Sequence, residues 1–230
     1  MHIALVIYGR LSTLSGGFLY DRKLVAHLRA QGVRVTVISF PWLDYGAHLA
    51  QNWSYAHFLQ LAHGRFDLIL QDELNHPSLF LLNTQLRQVV SCPIISIVHH
   101  LRISEDWPIW KRPFFRWVEA SYLNSVDGFI FNSKTTKREV EKLLTAKKPS
   151  VVAAPAGDRF GGRVDEAFVR RRAQAAGPLR VLFVGNLQRR KGVHTLLAAV
   201  ARLPHGMVQL TLVGSDAVEP AYVVKLRQFV

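Results

Sequence analysis

Short, nearly continuous apolar runs alternate along this chain with longer stretches in which apolar residues recur every three or four positions. The runs are HIALVIY (2–8), VRVTVISF (33–40), FDLILQ (66–71), CPIISIVHH (92–100), DGFIFN (127–132) and SVVAAP (150–155). Strands covered on both faces read this way, because neither set of alternate side chains meets water. Between the first two runs, FLYDRKLVAHLRAQG sets Leu24, Val25 and Leu28 on one helical face and stops at Gly32. NSKTTKREVEKLL opens with Asn132 or Ser133 as a helix cap and carries opposite charges on neighbouring turns. Strand alternating with helix predicts a parallel sheet with right-handed crossovers: a doubly wound, Rossmann-like α/β domain over residues 1–155.

The rhythm lapses over 156–178, where AGDRFGGRVDEAFVRRRAQAAGP supplies glycines, a proline, an arginine triplet and at most one short helix. This stretch reads as a linker. The pattern then restarts with LRVLFVG (179–185), GVHTLLAAVARL (192–203), VQLTLVG (208–214) and AYVVKLRQFV. Residues 179–230 therefore read as the beginning of a second Rossmann-like domain, with two strands where an ordinary sheet has several more.

Composition narrows the class. Of 230 residues 49% are hydrophobic and 20% charged, which suits a globular chain with a sizeable core. Lys and Arg number 29 against 16 Asp and Glu. The excess is uneven, with 17 basic and 11 acidic groups in residues 1–155 and 12 and 5 after them. A positive field on the later part attracts phosphate, whether on a small ligand, a nucleic acid or an anionic membrane. Cys92 is the sole cysteine, so no disulfide forms within the chain and a reducing compartment is expected. The first residues lack a signal peptide's basic region, and no run approaches the ~20 apolar residues of a membrane span. A cytoplasmic protein, peripheral to a membrane at most, is the expectation.

In a doubly wound sheet ligands collect where strands end, so the loops after strands carry the candidate chemistry. GRLSTLSGGF follows the first run, and its Gly16 and Gly17 would let backbone N–H groups approach an anion at a helix N-terminus; a flexible turn needs the same residues. No GxGxxG or GxxxxGK[ST] occurs, which argues against nicotinamide dinucleotides and P-loop chemistry. After the fourth run stand His99 and His100, which cannot both face inward from extended backbone; one should reach the ligand side, or the pair simply ends the strand in solvent. No metal-ligand spacing stands out, and no metal or cofactor is expected. Glu119 is either a cleft carboxylate or an exposed helix charge, and Ser133 either a site residue or only a cap. VGNLQRRKG (184–192) leaves a strand through glycine and puts Arg189, Arg190 and Lys191 before another glycine, a placement suited to phosphate or to a solvated basic loop.

In combination, the SGG loop, PIISIVHH, E…SVDGFIFNS…T, VLFVGNLQRRKGVHTLLAAVARL and LTLVGS resemble the GT-B fold glycosyltransferases of family 4, along essentially the whole chain. The most specific part is VG-x-L-x-x-x-KG. The resemblance implies retaining transfer of a sugar from a nucleotide-diphosphate donor, without a metal, in the cleft between two Rossmann-like domains. It assigns Gly16 and Gly17 to the donor phosphates, His99 to the transferred sugar and Lys191 to the departing diphosphate. The family usually has arginine where Asn186 stands, and Arg189 or Arg190 would then substitute. Its two glutamates separated by seven residues have no counterpart here and would lie beyond residue 230. That departure leads to the expectation of a chain truncated within the second domain and inactive alone.

Two further readings belong to other classes. WPIWKRPFFRW (107–117) gathers Trp107, Trp110, Phe114 and Phe115 with Lys111, Arg112 and Arg116, the composition of an interfacial anchor on anionic lipid; the alternative is a helix whose aromatics pack under the sheet. This suits an acceptor that is a glycan or lipid-linked. A nucleic-acid surface would explain the positive charge, but no nucleic-acid motif accompanies it and no such partner is expected.

Overall fold

The computed structural model describes residues 1–105, 107–157, 161 and 164–228. The chain forms two compact units, residues 1–157 and 158–230.

The first unit is built on six parallel strands: β1 (His2–Tyr8), β2 (Arg34–Phe40), β3 (Leu68–Asp72), β4 (Ile94–Val98), β5 (Gly128–Phe131) and β6 (Ser150–Val152). Their order is β2-β1-β3-β4-β5-β6. Ile3, Leu5 and Ile7 of β1 enter one core with Phe18 and Val25. Ala4, Val6 and Tyr8 enter a second core on the other face, with Val118, Tyr122 and Leu123. Alternation at period two thus serves two buried faces, which is why the strand reads as one apolar run.

Helix α1 (Gly16–Ala30) follows β1, with Val25 buried and Leu24 and Leu28 packed beside it. It ends where Gly32, at φ 76°, donates to the Arg29 carbonyl and Val33 donates to that of Leu28. Positive φ carries little penalty only for glycine, so the stop sits where the sequence put it. Short helices α2 (Tyr45–Ala50), α3 (Tyr55–Ala62), α4 (His76–Leu79) and α5 (Leu82–Leu86) precede β4; α6 (Arg112–Ser125) and α7 (Lys134–Glu141) flank β5.

The strands differ from the expected runs mainly at their ends. β4 begins at Ile94, after Pro93, which has no N–H to donate, and stops at Val98, so both histidines lie beyond it. β3 runs to Asp72, in register with Ile97. The final ladder ends at Val152, with one further bond from Ala153 to Phe131.

In the second unit β7 (Leu179–Val184) and β8 (Val208–Val213) pair in parallel. The expected linker contains α8 (Glu166–Gln174), while residues 158–160 and 162–163 lie outside the described set. Helices α9 (Val193–Val200) and α10 (Pro220–Arg227) cover one face of the strand pair, Val193, Leu197, Tyr222 and Leu226 packing against Phe183, Leu210 and Leu212. The opposite face leaves Leu182, Val184 and Val213 exposed. Among the described residues no helix is long and apolar enough to cross a membrane.

Gly128 opens β5 where a Cβ would lie 2.8 Å from the Pro149 carbonyl oxygen and 3.1 Å from Ile95 Cδ1. Gly128→Ala should therefore lower the stability of the chain by about 1–3 kcal/mol through overpacking, read as a lower urea midpoint at unchanged slope.

Candidate active site

The strand order reverses at β1 and β3: the chain first steps outward from β1 to β2, then returns to the other side of β1. At such a switch point the flanking loops diverge and leave a crevice at the carboxyl ends of the strands. Ser15 caps α1 by accepting from the Phe18 N–H, so Gly16 and Gly17 form the first turn, whose N–H groups have no partner within the helix. Gly17 has a steric reason to be glycine: a Cβ there would lie 3.2 Å from Cδ2 of His99. Gly16 has none, since nothing lies within 4 Å of its Cβ position.

Beyond the end of β4 the two histidines part. His100 is exposed, its Nε2 3.7 Å from Glu105. His99 turns inward, its Nε2 3.3 Å from Oδ1 of Asp21 one helical turn after Gly17, with Tyr20 edge-on at 5.0 Å. Its carbonyl accepts from Asn132, which in turn accepts from the Thr136 hydroxyl. Asp21 and Asp72 are both buried, and Asp72 accepts the Leu74 N–H. Burial raises the carboxyl of Asp72, with the Asp21 charge adding to it. Burial alone would lower His99, but the Asp21 hydrogen bond and the two aspartate charges outweigh it and raise the ring. Ser133 is the cap of α7, accepting the Thr136 N–H, so the capping alternative holds and Asn132 is the residue of that pair tied to His99.

Glu119 is not an exposed helix charge: it is fully buried on α6. Its two oxygens accept the N–H groups of Arg102 and Ile103 at 2.7 and 3.0 Å, fixing the turn that follows His100. Beside it lie buried Glu73 and His76, the latter's Nδ1 3.0 Å from Glu73 Oε1. Burial holds His76 down at about 4, so its ring is neutral. Among the described residues two groups have ligand-type atoms within 4.8 Å of one another: Asp21, Asp72 and His99, and Glu73, His76 and Glu119. Each cluster is only partly satisfied: His99 reaches Asp21 and backbone N–H groups reach Asp72 and Glu119, while Asp21 Oδ2 and His76 Nε2 have no hydrogen-bond partner.

The aromatic segment divides. Trp107 and Phe115 turn inward and, with Tyr45, enclose the Arg102 guanidinium at 4.4 to 5.1 Å from the ring centres. Phe115 is buried and Trp107 half-buried, which corrects their expected place on a membrane-facing surface: stacking on a partly desolvated cation holds them in. Trp110, Phe114, Arg112 and Arg116 face solvent together with Ile109 and Trp117, and the Lys111 ammonium lies over the Trp110 ring at 4.8 Å.

In the second unit, Arg189–Lys191 form a single 3-10 turn ending at Gly192, φ 68°. Glu219 accepts the Arg189 N–H, and Arg190 donates to the Gln188 side chain. Asn186 and all three basic side chains are exposed, and no carboxylate pairs with these cations among the described residues. Three fixed positive charges at one turn, before a helix N-terminus, form an anion-receptive surface.

Sequence reasoning missed Asp21, Asp72, Glu73, His76 and Arg102. A signal for some was present: Asp72 and Glu73 directly follow a strand, and Asp21 lies four residues after Gly17 on the same helical face. The partnership of Arg102 with three separated aromatics had none.

Burial raises Glu73 to about 8, the Asp72 charge adding to it, and raises Glu119 to about 8, the Glu73 charge adding to it. Unfolded, these carboxyls lose their protons near 4.5. Between those values these two groups hold more protons in the folded chain than in the unfolded one, so their contribution to stability falls as pH rises from about 4.5 to about 8, opposed below the ordinary imidazole range by His76. Glu73→Gln should flatten that decline, measured as the urea midpoint across the interval.

The profile of Glycosyltransferase Family 4 matches residues 16–156. No curated protein sequence matches significantly. HepE of Anabaena, solved in complex with UDP and glucose, superposes with a TM-score of 0.64 at 16% identity, over 99% of this chain and 65% of its own. The trehalose-6-phosphate structure from E. coli bound with UDP-2-fluoro glucose gives 0.57 at 12%, over 100% and 68%. The α,α-trehalose 6-phosphate synthase of Burkholderia multivorans gives 0.57 at 15%, over 99% and 67%. The chain thus spans 65% of the length of HepE, and the likeness at these identities is one of fold, the GT-B type. With the profile covering 141 of 230 residues (16 to 156), from the glycine turn through the last strand of the six-stranded sheet, the chain belongs to Glycosyltransferase Family 4.

Proposed function

We propose that this protein is a retaining glycosyltransferase that moves a sugar from a nucleotide-diphosphate sugar to a glycan or lipid-linked acceptor. The observation that carries the reading is His99, seated against Gly17 at the switch point of a family 4 sheet. Gly16 and Gly17 offer N–H groups to the donor phosphates, and His99 holds the transferred sugar. In the second unit Lys191 and Arg190, with Arg189 and Asn186 beside them, meet the diphosphate. Departure of that group builds negative charge on oxygen, which fixed cations stabilise most where water is excluded. The reading calls on no metal and no cofactor beyond the donor itself.

Calorimetry with UDP and GDP tests the donor half. Lys191→Ala should weaken nucleoside diphosphate binding by about tenfold or more, the worth of a charge-assisted contact. Absence of binding by the unaltered chain, or equal binding by the variant, would remove the assignment. Stereochemistry is read separately, from the anomeric proton of the product.

A second reading concerns where the enzyme works. Ile109 and Trp110 are 81% and 76% exposed, and Phe114 and Trp117 lie near them with Lys111 and Arg116. Apolar rings ringed by cations suit the headgroup layer of an anionic bilayer. We assign the protein to the cytoplasmic face of a membrane, as a peripheral component. In flotation, phosphatidylglycerol-containing vesicles should retain the chain better than phosphatidylcholine alone, and Trp110→Ser should reduce recovery. Equal recovery on both vesicles would dismiss the electrostatic contribution.

A further inference from the structure

We propose that Asp21 is a positioning residue for His99: with Asp72 it forms a buried two-carboxylate seat that keeps the ring as an imidazolium whose Nε2–H points at Asp21. Asp21 is fully buried and Asp72 is 3% exposed, yet no lysine or arginine pairs with either among the described residues. Asp72 has the Leu74 N–H, and Asp21 Oδ2 has no hydrogen-bond partner at all. Two desolvated carboxyls within 4.8 Å of one another are relieved by a proton on one of them or by a nearby cation, and His99, 3.3 Å from Asp21, is the group placed to supply the cation.

The surroundings fix the ring in that role. Gly17 allows it to lie against the first turn of α1, and Tyr20 meets its face edge-on. Asn132 holds its backbone from the start of α7. The titratable groups facing it are Asp21 and Tyr20 from α1 and Asp72 from β3; the contact from the β5 side, Asn132, does not titrate. The upward displacement of the His99 equilibrium agrees with this charge balance.

The chemical consequence deepens the proposed function and rests on it. With Nε2 committed to Asp21, Nδ1 is the ring's remaining polar atom, and in an imidazolium it donates. His99 then cannot take a proton from an acceptor hydroxyl. It acts as a fixed cation and hydrogen-bond donor toward an oxygen of the donor sugar or its phosphate.

The test is the ring 15N spectrum of the labelled 230-residue chain from about pH 6 to about pH 9, with His99→Gln to assign the signal. Expected is a doubly protonated ring that deprotonates above the ordinary imidazole range, moves back down in Asp21→Asn, and recovers in part in Asp21→Glu. A neutral His99 ring at the low end of the range, or a midpoint unmoved by Asp21→Asn in a folded variant, overturns the proposal. Should Asp21→Asn fail to fold, Asp72→Asn carries the same expectation and the same power to refute. UDP-glucose calorimetry over the same range separates the two readings. A shifted ring with no donor binding at any pH supports the charge assignment and removes the donor reading; binding that weakens as the ring deprotonates supports both.

Discussion

A parallel strand cannot be joined to its neighbour by a tight turn; every connection must cross the sheet and re-enter at the same end. That constraint places the loops after β1, β3 and β4 on one edge. It gathers Gly17, Asp72 and His99 from positions 17, 72 and 99 of the chain into one cluster, with no requirement that they be near in sequence. The reversal of order at β1 and β3 then opens that edge where the glycine turn sits.

The edge is also where this unit departs from a plain apolar core. Beneath the crevice lie Asp21, Asp72, Glu73, His76 and Glu119, all buried. Such groups cost stability unless they satisfy one another. Here they do so only in part: an imidazole lies beside two aspartates and backbone N–H groups meet Glu119, while Asp21 Oδ2 and His76 Nε2 have no hydrogen-bond partner. The second unit is the reverse case, with exposed cations at one turn and a small apolar core.

The architecture was legible because burial on both faces and helical spacing leave different periodicities, and the eight strands among the described residues lie within or one residue beyond the apolar runs read as strands. Helix ends were legible where a residue type is dictated by geometry, as at Gly32 and Ser133. Of the site, His99 and the glycines could be found because each immediately follows or precedes an element. Asp21 could not be given a role, since an aspartate inside a helix has the same pattern whether it faces water or a histidine 78 positions away. Trp107 and Phe115 were indistinguishable from Trp110 and Phe114 in composition. Only the direction of each ring, set by Arg102, separates them.

Glu119 has one more implication. Its carboxylate closes the chain from Arg102 to α6 into a ring, clamped at the base by two backbone N–H groups. Loop-closure entropy rises only with the logarithm of length. Residues between the clamp and the helix can therefore lengthen, shorten or change character without disturbing His99, which lies on the other side of the clamp. The exposed part of the aromatic segment, Ile109 and Trp110 with Phe114 and Trp117, thus stands outside the clamp, whereas Trp107 and Phe115 are tied to it through Arg102.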